Sequence, residues 1–205
     1  EEIMNQIIKN TIILFVITLV AGFCLGAVHD VTLEPIAQAQ EAAATKTFQE
    51  VYPEAASFDA PQELTDAVAA AAESISEWGY GKVTINDAKE ALDASGNKIG
   101  YLITSTSAES YGGNVQIAVG ISNEGELTGI GFLSISDTPG LGMRAKEPDF
   151  KDQFIGKKAE KLEVTKTGAS ADNQIQAISG ATITSKAVTN ATDAAIYFVA
   201  NCLAQ

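Results

Sequence analysis

Four hydroxyl side chains gather around one glycine in Ile178-Ser-Gly-Ala-Thr-Ile-Thr-Ser185, immediately before a strongly helical pattern. A small-residue turn feeding a helix N-terminus leaves backbone N–H groups without intrahelical partners. The helix dipole adds positive potential there, so such a place favours an anion, phosphate above all. Gly180 removes the side chain that would block close approach, and the hydroxyls of Thr182 and Thr184 are acceptors, donors or esterification points. The same residues admit a plainer reading, in which Ser179 or Thr182 is an ordinary N-cap and the glycine only turns the chain. A second run, Asp137-Thr-Pro-Gly-Leu-Gly142, places one proline and two glycines in six residues after a β-like segment. Such a tight, backbone-exposing loop is a frequent carrier of binding sites, and its plain reading is a strand-to-helix connection.

Other chemistries are poorly supplied. One histidine and two cysteines cannot build a typical Cys/His zinc site, an all-protein iron–sulfur site or a disulfide framework. No base stands near Ser179 to make it a hydrolase nucleophile, and no convincing carboxylate pair is present. Any redox chemistry must therefore come from an organic cofactor. His29 borders an apolar run and reads as an interfacial residue; Trp78 reads as core or rim, and Cys24 and Cys202 as small apolar packers. With 13 basic against 26 acidic residues the formal charge is −13, which disfavours nucleic acid as a partner.

Periodicity gives the elements that must position the two runs. Ala37 to Val51 suits a helix ended by Pro53, and Leu64 to Trp78 suits a second. Ile85–Leu92, Lys98–Ser105, Asn114–Ile121 and Glu126–Ile135 are β-branched or alternating, and turn residues at 93–97 and 122–125 join them as hairpins. Neighbours joined so closely pair antiparallel. A short helical turn is expected at Phe150–Phe154 and a solvated lysine-rich face at Lys157–Lys161. From Ile183, the residues Ala187, Val188, Ala191, Ala194, Ala195, Phe198, Val199, Cys202 and Leu203 trace one buried helical stripe. The fold class is α+β: a mainly antiparallel sheet with a C-terminal helix, behind a tether.

That tether is Thr11 to Val28, eighteen residues without charge or proline. At about 1.5 Å per residue it extends roughly 27 Å, close to the hydrocarbon thickness of a bilayer. A cleaved signal peptide would have a shorter apolar region ending at a small-x-small site, so a retained single-pass anchor in the cell membrane is the preferred reading. Lys9 precedes the run and no Lys or Arg follows until Lys46, which orients residues 1–10 to the cytoplasm. Residues 29–45 are then a connector and residues 46–205 an extracytoplasmic domain.

With Tyr111-Gly-Gly113, DTPGLG and SGATITS following in this order behind a single N-terminal span, the chain resembles the FMN-binding domain family of bacterial respiratory flavoproteins. Within it the similarity is to the G subunit of the Rnf complex, the ion-translocating ferredoxin:NAD oxidoreductase, with the C subunit of the sodium-pumping NADH:quinone reductase as a relative. The resemblance implies FMN attached covalently, by a phosphoester to Thr182, through a separate flavin transferase. It also implies an electron-carrying role among the other membrane subunits of that complex. Ser179, Gly180, Ala181, Thr184, Ser185 and Lys186 flank the attachment point, and Asp137, Thr138, Pro139, Gly140, Leu141 and Gly142 are carried over as pocket residues. The phosphate charge is expected to meet the amides of residues 184–186 and Lys186. Two positions depart from the family pattern: Gln176 stands where an acidic residue is common, and Asp137 where glutamate is common. The competing reading is a membrane-tethered, non-redox assembly or ligand-binding module in which SGAT is only a helix cap.

Overall fold

The computed structural model describes residues 2–158 and 160–203. The chain divides into two compact units, residues 1–43 and 44–205.

The first unit belongs to one helix, α1 (Glu2–Val51), whose side chains from 11 to 28 are all exposed. An α-helix apolar around its whole circumference has no stable place in water, and this one is long and apolar enough to cross a membrane. Its few hydroxyls are satisfied locally: Thr18 Oγ1 donates to the carbonyls of Leu14 and Phe15, at 3.0 and 2.9 Å. The residues expected as a connector, 29–45, are helical: α1 runs through them without interruption and carries Pro35 inside it. The Ala, Gln and Glu that follow Pro35 are strong helix formers, and they carry the helix past the one missing donor.

In the second unit a five-stranded antiparallel meander follows chain order: β1 (Ser57–Asp59), β2 (Val83–Leu92), β3 (Lys98–Ser110), β4 (Gly113–Ser122) and β5 (Leu127–Ile135). The hairpin chemistry is local and as expected. Asp93 accepts the amides of Ser95 and Asn97 at 2.7 and 2.9 Å, and Ser122 Oγ accepts those of Glu124 and Glu126 at 3.3 and 3.2 Å. Between β1 and β2 lies α2 (Gln62–Ser74), continued by a 3₁₀ turn to Trp78. After β5 come a short α3 (Pro148–Lys151), a parallel pair β6 (Glu163–Thr165) and β7 (Gln174–Gln176), and the long α4 (Thr182–Phe198).

The main core lies where α4 meets the sheet. Ala187, Val188, Ala191, Ala194, Ala195 and Phe198 are at most 1% exposed, so four alanines let the helix approach closely. Ser105 Oγ of β3 pins it by donating to the Ala191 carbonyl at 2.9 Å. Val199, Cys202 and Leu203 pack partly buried, as expected for the stripe. Ile183 does not belong to it and is 54% exposed: in the first turn of α4 Thr184 and Ser185 take the buried positions, and Ile183 lines a cavity instead. On the other sheet face Val51 packs with Leu102 and Ala118, and its carbonyl accepts Thr128 Oγ1 at 2.8 Å. Trp78 lies against Tyr197 with ring centroids 4.7 Å apart, a rim position.

Candidate functional site

Two turns of the same kind face each other. In Thr138-Pro-Gly-Leu141 the Leu141 amide donates to the Thr138 carbonyl at 3.1 Å and Gly140 has φ +76°, the pattern of a type II turn with proline second and glycine third. In Ile178-Ser-Gly-Ala181 the Ala181 amide donates to the Ile178 carbonyl at 2.9 Å and Gly180 has φ +79°. The turns touch: a Cβ on Gly180 would lie 3.0 Å from Leu141 Cδ2.

Beneath them Asp137 ties three chain segments together. Its Oδ2 accepts Ser110 Oγ, from the end of β3, at 2.5 Å and Thr184 Oγ1, from the first turn of α4, at 2.7 Å. Gly142 closes against it, since a Cβ there would collide with the Asp137 carboxylate. Asp137 is 7% exposed, and its Oδ1 is buried without a hydrogen-bond partner among the described residues. Burial pushes this carboxyl up, but Ser110, Thr184 and then the nearby amides of Thr138 and Gly112 outweigh it and hold it below the usual carboxylate range.

The helix mouth itself is open. The residue capping α4 is Ala181, which has no side chain able to cap, so the N-cap reading of Ser179 or Thr182 is corrected. The first amide with a backbone partner is that of Ser185, which donates to Ala181 at 3.0 Å. Among the described residues, the helix donors without a partner are therefore those of Thr182, Ile183 and Thr184, two residues earlier than expected, because the helix begins at Thr182 itself.

The hydroxyls of the run have separate fates. Thr184 is fully buried and committed to Asp137. Ser185, also fully buried, accepts the Ile178 amide at 3.0 Å and donates to the Ala181 carbonyl at 2.9 Å, locking the turn to the helix. Ser179 is exposed on the turn. Thr182 is half-buried, and its hydroxyl makes no hydrogen bond among the described residues.

Thr182 also stands between two cavities. One, of about 490 Å³, is lined by Asp137, Thr138, Gly142 and residues 180–184 and is rimmed by Tyr111, Leu141 and Ile183. Those three are 73%, 43% and 54% exposed, and with Ile155 they are all the exposed large hydrophobic side chains described in the second unit. The other, of about 580 Å³, is polar and holds Arg144, Lys166, Glu147, Asp149, Gln153 and Gln176 beside Ser179 and Thr182. Pro139 and Gly140 shape the turn without lining either cavity; Lys186 is exposed and also lines neither. Gln176 is held by Gln153, whose Oε1 accepts its amide at 2.7 Å.

Residues 110–197 match the family model of the FMN-binding domain, and residues 3–51 that of the RnfG N-terminal region. The G subunit of the Na(+)-translocating ferredoxin:NAD(+) oxidoreductase complex of Acetobacterium woodii is 37% identical over 95% of this chain and 92% of its own. The chain belongs to the RnfG family, the G subunits of ion-translocating ferredoxin:NAD(+) oxidoreductase complexes. The G subunit of an ion-translocating oxidoreductase complex from Methanosarcina acetivorans is 29% identical, covering 95% of each chain. Among solved structures, the C subunit of the Na(+)-translocating NADH-quinone reductase of Parabacteroides distasonis is 20% identical, covering 70% of this chain and 95% of its own, with a TM-score of 0.44.

For this member of the RnfG family, sequence reasoning collected the two runs but missed what surrounds them. Ser110 and Tyr111 sit at the end of β3 beside Asp137 and the apolar cavity, and Arg144 and Lys166 sit in the polar one. Only Tyr111 carried a signal, the Tyr-Gly-Gly that ends one strand and opens the next.

Proposed function

We propose that the chain is the membrane-anchored, FMN-carrying electron-transfer subunit of an ion-translocating ferredoxin:NAD oxidoreductase (Rnf) complex, with FMN joined covalently by a phosphoester to Thr182. The observation that carries this reading is the free, half-buried Thr182 hydroxyl at an uncapped helix N-terminus, between two cavities. The site fits the group. The amides of Thr182, Ile183 and Thr184 offer donors and the positive end of α4 to a phosphate. Gly180 gives Leu141 room to close on the turn, and Tyr111, Leu141 and Ile183 offer an apolar seat to a flat ring. The cavity volume of about 490 Å³ lies within the usual range for small-molecule sites.

Bound FMN supplies the redox chemistry, which no side chain of the two cavities provides. The protein's part is to hold and orient: α4 takes the phosphate, Thr184 and Asp137 keep the helix mouth registered on the sheet, and Leu141 packs the two turns together. Residues 11–28 of α1 span the bilayer, with the N-terminus cytoplasmic and the flavin domain extracytoplasmic, where a covalent tether prevents loss of the cofactor. The partners are the other membrane subunits of the complex and a flavin transferase that completes Thr182. The domain acts within the complex rather than as a catalyst alone.

Mass spectrometry of the whole chain, coexpressed with its flavin transferase, tests the claim. The expected result is an FMN phosphoester that maps to residue 182 and disappears in Thr182→Val, with flavin fluorescence of the denatured chain lost in parallel. A bare Thr182 in the wild-type chain, or an adduct placed elsewhere, refutes it.

A further inference from the structure

The apolar cavity carries an electrical asymmetry. Of the described residues lining it, Asp137 is the sole charged one, and no Lys, Arg or His forms an ion pair with it. A buried carboxylate is expensive without a cation, and a neutral amide of the same shape could accept from Ser110 and Thr184 at no such cost. The surroundings nevertheless favour the ionised form: two hydroxyls donate to Oδ2, and Gly142 lets the chain close around the group. The charge is also fixed in place, because Ser110, Thr184 and the turn hold it from three separate segments.

We propose that Asp137 is a built-in negative charge that lowers the reduction potential of an electron-accepting ring seated on Tyr111, Leu141 and Ile183. The inference rests on the reading of this cavity as the flavin seat. An electron added to the ring without a matching proton places a second negative charge beside the first, in a pocket with no cation to offset it. Reduction is then less favourable than it would be over a neutral side chain. Asp137 is in this sense a tuning residue, distinct from the group that carries the attachment.

The test compares full-length wild type and Asp137→Asn in detergent, both coexpressed with the flavin transferase. The two are titrated reductively against indicator dyes while flavin absorbance is followed. The expected result is a higher midpoint potential in Asp137→Asn, at least tenfold in the equilibrium constant for reduction, or ~59 mV for one electron and ~30 mV for two. Equal potentials in the two loaded proteins, with equal melting temperatures, overturn the proposal and leave Asp137 a purely structural tie. If Asp137→Asn does not fold, Thr138→Lys replaces it: that side chain is exposed on the cavity wall, so the lysine supplies the missing cation without disturbing the tie. Its potential is expected to rise as well, and an unchanged value overturns the proposal. Wild-type protein without flavin on Thr182 would instead defeat the reading on which the proposal rests, an outcome seen by mass before any potential is measured.

Discussion

Asp193 offers a quantitative check on the packing of α4. It lies on the buried face of the helix, 1% exposed, and its Oδ1 accepts the Leu162 amide at 2.8 Å. Desolvation raises its carboxyl to about 7, against the lowering influence of the Leu162 amide and of Lys161. The folded state therefore prefers the protonated form, while the unfolded chain ionises near the ordinary value of 3.8. The sign follows directly. This group's contribution to stability is fully present below about pH 4, is lost as pH rises towards 7, and is flat above that. With about 1.36 kcal/mol per pKa unit, the loss relative to a neutral group is about 4 kcal/mol at pH 8 and about 2 kcal/mol at pH 5.

Asp193→Asn removes the titration and keeps an oxygen for the Leu162 amide. Its added NH₂ carries a constant burial cost that cancels when two pH values are compared. The stability difference between variant and wild type is expected to shift in favour of the variant by about 2–3 kcal/mol from pH 5 to pH 8. Urea unfolding of the detergent-solubilised chain measures it. Trp78 is the only tryptophan and stacks on Tyr197, one turn along from Asp193, so its fluorescence reports this region. A difference that stays constant across that range would show Asp193 ionised in the folded protein and refute the reasoning.

The two threonines of the helix mouth should behave oppositely. Thr182→Val changes stability by less than about 0.5 kcal/mol, since its hydroxyl has no partner to lose, yet abolishes the flavin adduct. Thr184→Val withdraws a donor from the buried Asp137 and costs about 1–3 kcal/mol by urea titration, while the adduct at Thr182 is kept. Gly142→Ala drives a methyl group into the Asp137 carboxylate and destabilises by about 1–3 kcal/mol, read as a lower melting temperature.

Much of this architecture was legible because it is encoded over short distances. The hairpins at Asp93 and Ser122 are made by side chains reaching two to four residues along the chain, and Pro139-Gly140 carries its turn type in its own residue preferences. The alanine-rich stripe of α4 shows its buried face by spacing alone, and the apolar run at 11–28 shows its length. The errors were at boundaries. The connector at 29–45 is helical, because an exposed helix with strong formers beyond Pro35 absorbs one lost hydrogen bond. Ile183 matched the stripe by spacing, but in the first turn of α4 the buried positions fall to Thr184 and Ser185.

What residues and their order determined, then, was the set of elements, the presence of a tight turn before a helix, and the scarcity of histidine and cysteine for metal or acid–base work. Only the tertiary structure distinguished one hydroxyl from the next. Thr182 and Thr184 are two positions apart and chemically alike, yet one is free and the other is bound to a carboxylate 47 residues away. The same fold brings Tyr111, Leu141 and Ile183 from three separate segments to one rim. Propensity acts between chain neighbours, whereas pairing and burial depend on which distant segments the sheet and α4 force together, and the site's selectivity comes from the latter.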